Sequence, residues 1–309
     1  MKAPPPGSAP TQTGDRIFSG ISRAAGLAIM ATLAGVFIFL TIEGVPGFFQ
    51  EEQFYKGAGN FWGYVDHLLF GTVLAATIAL IVAVPLAFGI ALVVSHYAPK
   101  WIAGPVAYVI DLLAAVPSVV FGLWGINLFA PKMVPIYDWL NAHLGWLPFF
   151  EGPVNPVGTT ILTAGLVLAI MILPIITAIS REVFTQTPVL HEEAALALGA
   201  TRWEMIRLAV FPYAKSGMVS AVMLGLGRAL GETMAVAMVL SGGGGISFNL
   251  IASSNPTSIA ANIASQYKEN TPGTLHVLIA TGLVLFLVTF LVNFAARWIV
   301  AGNDRKMAR

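Results

Sequence analysis

Six apolar runs limit what this chain can fold into: residues 24–42, 68–95, 105–130, 157–180, 216–240 and 275–300 each approach or exceed the ~20 residues with which an α-helix crosses a bilayer. Inside hydrocarbon only helices and closed barrels satisfy their own backbone groups. Barrel strands would read as segments of about 10 residues alternating apolar and polar, and no such segments are found. The expected fold is therefore all-α, a polytopic membrane protein with six transmembrane helices. With 57% hydrophobic and 10% charged residues, against roughly 25% charged in soluble domains, the composition is that of an integral membrane protein. Cysteine is absent, which excludes disulfides, thiolate nucleophiles and cysteine-type metal sites.

Charge placement orients the spans. With the N-terminus in the cytoplasm, Lys2, Arg16, Arg23, Lys100, Arg181, Arg202, Arg207, Lys215, Arg297, Arg305, Lys306 and Arg309 fall inside, and only Lys56, Lys132 and Lys268 fall outside. This asymmetry satisfies the positive-inside rule and predicts that both termini are cytoplasmic. Residues 1–23, with Pro4, Pro5, Pro6 and Pro10, read as a mobile cytoplasmic tail, and residues 24–309 as the transmembrane domain. The first apolar run has no small-x-small cleavage pattern after it, so it is expected to be a retained helix.

Among the outer loops, residues 43–67 read as a solvated loop with Trp62 and Tyr64 at the interface, and Ser241-Gly242-Gly243-Gly244-Gly245 as a flexible loop. Residues 131–156 carry Trp139, Trp146, Phe149 and Phe150, suited to an interfacial segment or to the surface for an external partner. In the third span, Asp111 lies about two turns from the cytoplasmic side, and Pro117-Ser118 could open the backbone. Both Asp111 and Ser118 are candidates for a structural or a pathway role.

Two stretches carry the chemistry. Residues 181–215, the longest internal loop, read as a helix-turn-helix. Thr187-Pro188 is the expected start of a helix through Glu193, Ala194 and Ala195, and Gly199 is the expected left-handed stop. Thr201-Arg202-Trp203-Glu204 is a capping box for a second helix that should end before Pro212. The second stretch lies in the fifth span, where Arg228 and Glu232, four residues apart, are expected to share a helical face. A charged residue at the centre of a membrane helix costs about 2.5–3.5 kcal/mol on insertion scales. The pair is either a structural tie between helices or part of an anion pathway, where the arginine fork suits phosphate oxygens. Gly227 and Gly231 are expected to let a second helix come close beside the pair. One arginine is thin provision for a divalent anion, so further positive charge is expected from a second membrane subunit.

Glu193-Ala194-Ala195, then Gly199, then Pro212, resembles the EAA loop of ABC-transporter membrane subunits, which in that family seats in a groove of the ATPase. Gly225 to Val236 resembles the fifth-helix signature of the PstC-type permeases of phosphate importers. Leu112 to Gly125 and Gly14 to Phe18 are similar to further stretches of the same proteins. The resemblance implies a binding-protein-dependent inner-membrane component of MetI-like fold in a bacterial or archaeal cytoplasmic membrane, acting as a transport subunit and not an enzyme. Its implied partners are a second, PstA-type permease, a PstB-type ATPase dimer and a phosphate-binding protein outside. The chain has no Gly-x4-Gly-Lys-[Ser/Thr] phosphate loop, so ATP with Mg belongs to the ATPase, and neither a cofactor, a metal nor a nucleic acid is expected on this chain. The alternatives are a sulfate or molybdate permease, a proton-coupled anion transporter with Glu232 as proton carrier, and a structural or sensing subunit.

Overall fold

The computed structural model describes residues 13–240, 242–243, 245–268 and 271–307. The prolines at 4, 5, 6 and 10, Lys2, Ser241, Gly244 and Arg309 lie outside them. Arg305 and Lys306 are described as helical backbone only. Among the described residues every regular element is a helix. In chain order these are α1 (Thr13–Gly44), α2 (Phe61–Leu92), α3 (Lys100–Ala114), α4 (Ser118–Trp124), α5 (Ala130–Leu144) and α6 (Ile161–Thr185). They continue as α7 (Val189–Ala197), α8 (Arg202–Met205), α9 (Phe211–Gly231), α10 (Met234–Val239), α11 (Ile259–Gln266) and α12 (Pro272–Met307). Six continuous helical stretches are long and apolar enough to cross a membrane: Gly14–Phe49, Phe61–Tyr97, Ser118–Leu144, Ile161–Thr185, Arg202–Gly231 and Pro272–Trp298.

The core is built on α2, α6 and α9. Alanine recurs every fourth residue of α2, and Ala75, Ala79, Ala83 and Ala87 are all buried. On α6 a Cβ at Gly165 would lie 2.6 Å from Ile78 Cγ2, so these two helices meet through small residues at nearly backbone distance. Against α9 the small residue is Gly225, where a Cβ would lie 2.7 Å from Ile176 Cδ1. Gly227 and Gly231, expected to admit a second helix, have nothing among the described residues within 4 Å of where a Cβ would stand. In contrast α1 packs on α12 and presents most of its length outward.

One end of the bundle, where α2 finishes, α6 finishes and α8 begins, is closed by Leu92, Phe184, Met205 and Ile206. At the other end Tyr64 Oη accepts a hydrogen bond from Asn262 Nδ2 at 2.8 Å, and Thr72 Oγ1 accepts the Ile259 N–H at 2.9 Å. There Gly243 donates its N–H to Asn255 O at 2.8 Å, and a Cβ on it would lie 2.6 Å from Ser253 O. This glycine is held by close approach of backbone, where a flexible loop was expected.

The expected elements and the observed ones differ in five places. Residues 13–23, expected in the tail, belong to α1, whose apolar stripe of Ile17, Phe18 and Ile21 extends the first run. The third run is not one span: the chain breaks at 115–117, because Pro117 offers no N–H and disfavours helix at the residue before it. The long helix there is Ser118–Leu144, which absorbs the start of the loop expected at 131–156. Thr187 is not a cap. Pro188 occupies the N-cap of α7, and the Thr187 hydroxyl is buried without a partner. The helix opened by Thr201 does not stop before Pro212 but runs through it. A π-turn at Ile206–Val210, with the Phe211 N–H on Ile206 O, widens the backbone where a proline ring would otherwise strike the preceding turn. Finally, the fifth run breaks at Glu232 and Thr233, between α9 and α10.

Candidate functional site

Arg228 stands in the last turn of α9, where the carbonyl end of the helix favours a cation. Below it Ser216, Val219, Ser220, Met223, Leu224 and Gly227 succeed one another along one stripe of the helix. With Ile175 of α6 and Asn293, Ala296 and Arg297 of α12, this stripe lines a cavity of about 910 Å³. Among the described residues no carboxylate lines it. The Arg228 Nε is buried and has no hydrogen-bond partner.

Glu232 is not on that face. Its backbone is extended (φ −70°, ψ 124°), the chain has left the helix, and the carboxylate turns forward so that Oε1 accepts the Ala235 N–H at 3.2 Å. The side chain is buried, and among the described residues no ion pair within 4.0 Å joins it to Arg228. The physical reason is the seating of α10: it packs on α4, so the chain has to change direction after Gly231. Glu232 then supplies an acceptor to the Ala235 N–H, one of the first-turn groups that the new helix cannot pair internally. Two of the stretches that carry the family resemblance, Leu112 to Gly125 and Gly225 to Val236, meet at this α4–α10 contact. A Cβ at Gly122 would lie 2.8 Å from Met238 Sδ and 3.1 Å from Ala235 Cα, and one at Gly125 would lie 2.7 Å from Val239 Cγ2. Ser118 is the first residue of α4 and is half-buried. Asp111 belongs to α3 and faces the end of α6, with Oδ2 3.7 Å from an Arg181 guanidinium nitrogen. Neither residue lines the Arg228 cavity.

At the α7 end the expected helix-turn-helix is formed. The Gly199 N–H donates to Leu196 O at 2.9 Å and the Ala200 N–H to Ala195 O at 3.2 Å, while Gly199 takes φ +87°. The Thr201 N–H donates to Glu204 Oε2 at 2.7 Å, and Thr201 Oγ1 accepts the Glu204 N–H at 3.3 Å. No residue of α7 is buried. Glu193 and Ala194 are exposed or nearly so, whereas Ala195 packs inward beside Phe184 and Ile206. Ala194, Leu198, Gly199 and Leu208 border an open groove of about 910 Å³, with Leu198 90% exposed at its rim. On the inner side, Glu192 Oε1 stands 3.5 Å from His96 Nε2, in the π-turn Val93–Tyr97 that follows α2.

The sequence pattern did not single out Arg297, Asn293, Ser216 or Ser220 as site residues. The four-residue steps from Ser216 through Ser220 and Leu224 to Arg228 carried the signal for the serines. Arg297 had counted only as one of the charges that orient the spans.

The comparisons with known proteins establish the family. Residues 83–309 match the family described as the binding-protein-dependent transport system inner membrane component. The chain is 45% identical over 314 residues to the phosphate transport system permease protein PstC 2 of Mycobacterium tuberculosis, an alignment that covers 95% of this chain and 94% of that protein. It is 43% identical over 317 residues to PstC of Mycobacterium leprae, covering 96% of each, and 38% identical over 299 residues to PstC of Haemophilus influenzae, covering 93% of each. The chain belongs to the binding-protein-dependent transport system inner membrane component family, within the group that includes the PstC permeases.

Proposed function

We propose that this chain is the membrane-spanning permease subunit of an ATP-driven importer that moves inorganic phosphate across the cytoplasmic membrane. The observation that carries the reading is Arg228, a cation whose buried Nε has no hydrogen-bond partner and whose cavity is lined by no carboxylate among the described residues. Such a fork offers paired donors to a tetrahedral oxyanion and keeps its charge at any working pH. The names of the relatives select phosphate over sulfate or molybdate.

The importer is completed by a PstA-type permease, a PstB-type ATPase dimer that binds ATP with Mg, and a phosphate-binding protein on the outer side. Both termini and the α7 groove are cytoplasmic in this reading. The groove beside Ala194, Leu198 and Gly199 seats on the ATPase, with Glu193 at its exposed edge. From Arg202 the chain is one continuous helix to Gly231, so that α8 and Arg228 lie about 40 Å apart on a single rod. Motion imposed on α7 reaches the first turn of that rod through the Gly199 turn and the capping box. The rod then exposes Arg228 to one side of the membrane and afterwards to the other. Ser118 and Glu232 act through the α4–α10 contact that fixes the end of the rod, and Asp111 holds α3 against α6.

Uptake of labelled phosphate into vesicles tests the reading. Vesicles holding this chain, the second permease and the ATPase are expected to accumulate phosphate only with ATP and the binding protein, with sulfate competing poorly. Accumulation driven by a proton gradient without nucleotide would instead make the chain a secondary transporter.

A further inference from the structure

The cavity beneath Arg228 holds a second arginine, and it comes from this chain. Arg297 of α12 lines the same 910 Å³ space, one helical turn beyond Asn293 on the same face. Neither arginine has an ion-pair partner among the described residues, and no acidic side chain among them lines the space. Among the described residues the cavity therefore carries two positive charges with no carboxylate opposite them, together with the hydroxyls of Ser216 and Ser220 and the amide of Asn293. α12 passes from the Val277–Ala280 packing at one end of the bundle toward the α7 end, antiparallel to α9. Arg297 accordingly lies toward Ser216, and Arg228 lies at the far end of the stripe. Ser216 and Arg228 are separated along α9 by about 18 Å of helix. A hydrated anion fits there with room to spare, since a water occupies only about 30 Å³.

We infer that Arg297 forms a second oxyanion station in the pathway, with Ser216 and Asn293 beside it, and receives phosphate released from Arg228 before it leaves toward the α7 end. The inference rests on the proposed phosphate transport and adds a residue to it. A single deep cation would hold a divalent anion against its exit. A second cation further along the stripe lowers the field that the departing anion has to escape, because attraction between unit charges falls with distance and with solvation. The same chemistry would suit the phosphate of an anionic lipid headgroup, because Arg297 is exposed in the isolated chain.

The test uses the reconstituted complex in two kinds of vesicle, one of zwitterionic lipid alone and one with added anionic lipid. Uptake of labelled inorganic phosphate and basal ATP hydrolysis are measured on the same preparations. Arg297→Gln is expected to slow uptake about tenfold in both vesicles while ATP hydrolysis and subunit assembly stay at the wild-type level. Arg297→Lys should recover most of the rate. So should Asn293→Arg combined with Arg297→Gln, which moves the charge one turn along the same wall. Wild-type uptake by Arg297→Gln, a defect confined to vesicles with anionic lipid, or an assembled complex that neither replacement rescues would overturn the inference. Each of these leaves ATP-driven uptake by the wild type and its dependence on Arg228 intact. Failure of wild-type uptake itself would instead count against the proposed transport.

Discussion

Glu232, Gly199 and the Asp111–Arg181 pair each hold a local geometry that substitution can test. Glu232 serves as a hydrogen-bond acceptor for the Ala235 N–H at the break between α9 and α10. Glu232→Gln keeps a carbonyl in that position, and its thermal unfolding is expected to match the wild type. Glu232→Ala removes the acceptor and should cost about 1 kcal/mol, the usual value of a lost helix cap. Equal stability of the two variants would remove the capping role. Gly199 needs φ +87° and has open space around it, so strain and not crowding governs what can replace it. Gly199→Asn should still co-purify with the ATPase, since Asn tolerates the left-handed region, whereas Gly199→Val costs about 1–2 kcal/mol in backbone strain and should lose it. Retention by the valine variant would separate the turn from coupling. At Arg181 the pairing with Asp111 is long, at 3.7 Å, and Asp111 is half-exposed, so Asp111→Asn is expected to change stability by less than about 1 kcal/mol.

Among the elements, the α4–α10 contact is the most demanding, because both helices are short and both begin at a break. Gly122→Leu would force a side chain into Met238 and Ala235, and overpacking of this kind costs about 1–3 kcal/mol. The expected outcome is an assembled but heat-labile complex with reduced uptake, and unchanged melting would show that the contact yields easily. Local signals for the elements were legible where one residue decides one conformation. The capping box of Thr201 and Glu204, the glycine stop at 199 and the six-helix membrane fold all come from the type and spacing of residues. What hydropathy could not place were the interruptions. Arg228 and Glu232 look like neighbours on one face only if the helix continues, and an apolar run gives no sign that Glu232 turns away to meet a helix packed on α4. Pro212 reads as a stop until the π-turn before it is seen, and Pro117 reads as a kink until α3 is found to end at Ala114. In each case packing against a distant element overrules the local pattern, which a single run of sequence cannot express.

At the scale of the molecule, a multi-pass inner membrane protein of this family leaves large apolar faces uncovered. Nearly all of α1 and the outer side of α3 expose residues such as Phe18, Leu27, Trp101 and Tyr108. Lipid and a partner permease are the environments in which such faces carry no cost. At Gly227 and Gly231 of α9, nothing among the described residues stands within 4 Å of where a Cβ would be. In the proposed mechanism the whole works as a lever, with α7 outside the bundle, a continuous helix from Arg202 to Gly231 through it, and Arg228 near the far end. The most direct test is ATP-driven uptake of labelled phosphate by the complete reconstituted complex carrying Arg228→Ala or Arg228→Lys, with ATP hydrolysis followed in the same vesicles. Loss of a charge-assisted contact worth about 1.5–3 kcal/mol predicts uptake reduced roughly 10- to 100-fold by Arg228→Ala, and little restoration by lysine, with the ATPase still assembled and hydrolysing ATP. Uptake at the wild-type rate in both variants would contradict the account.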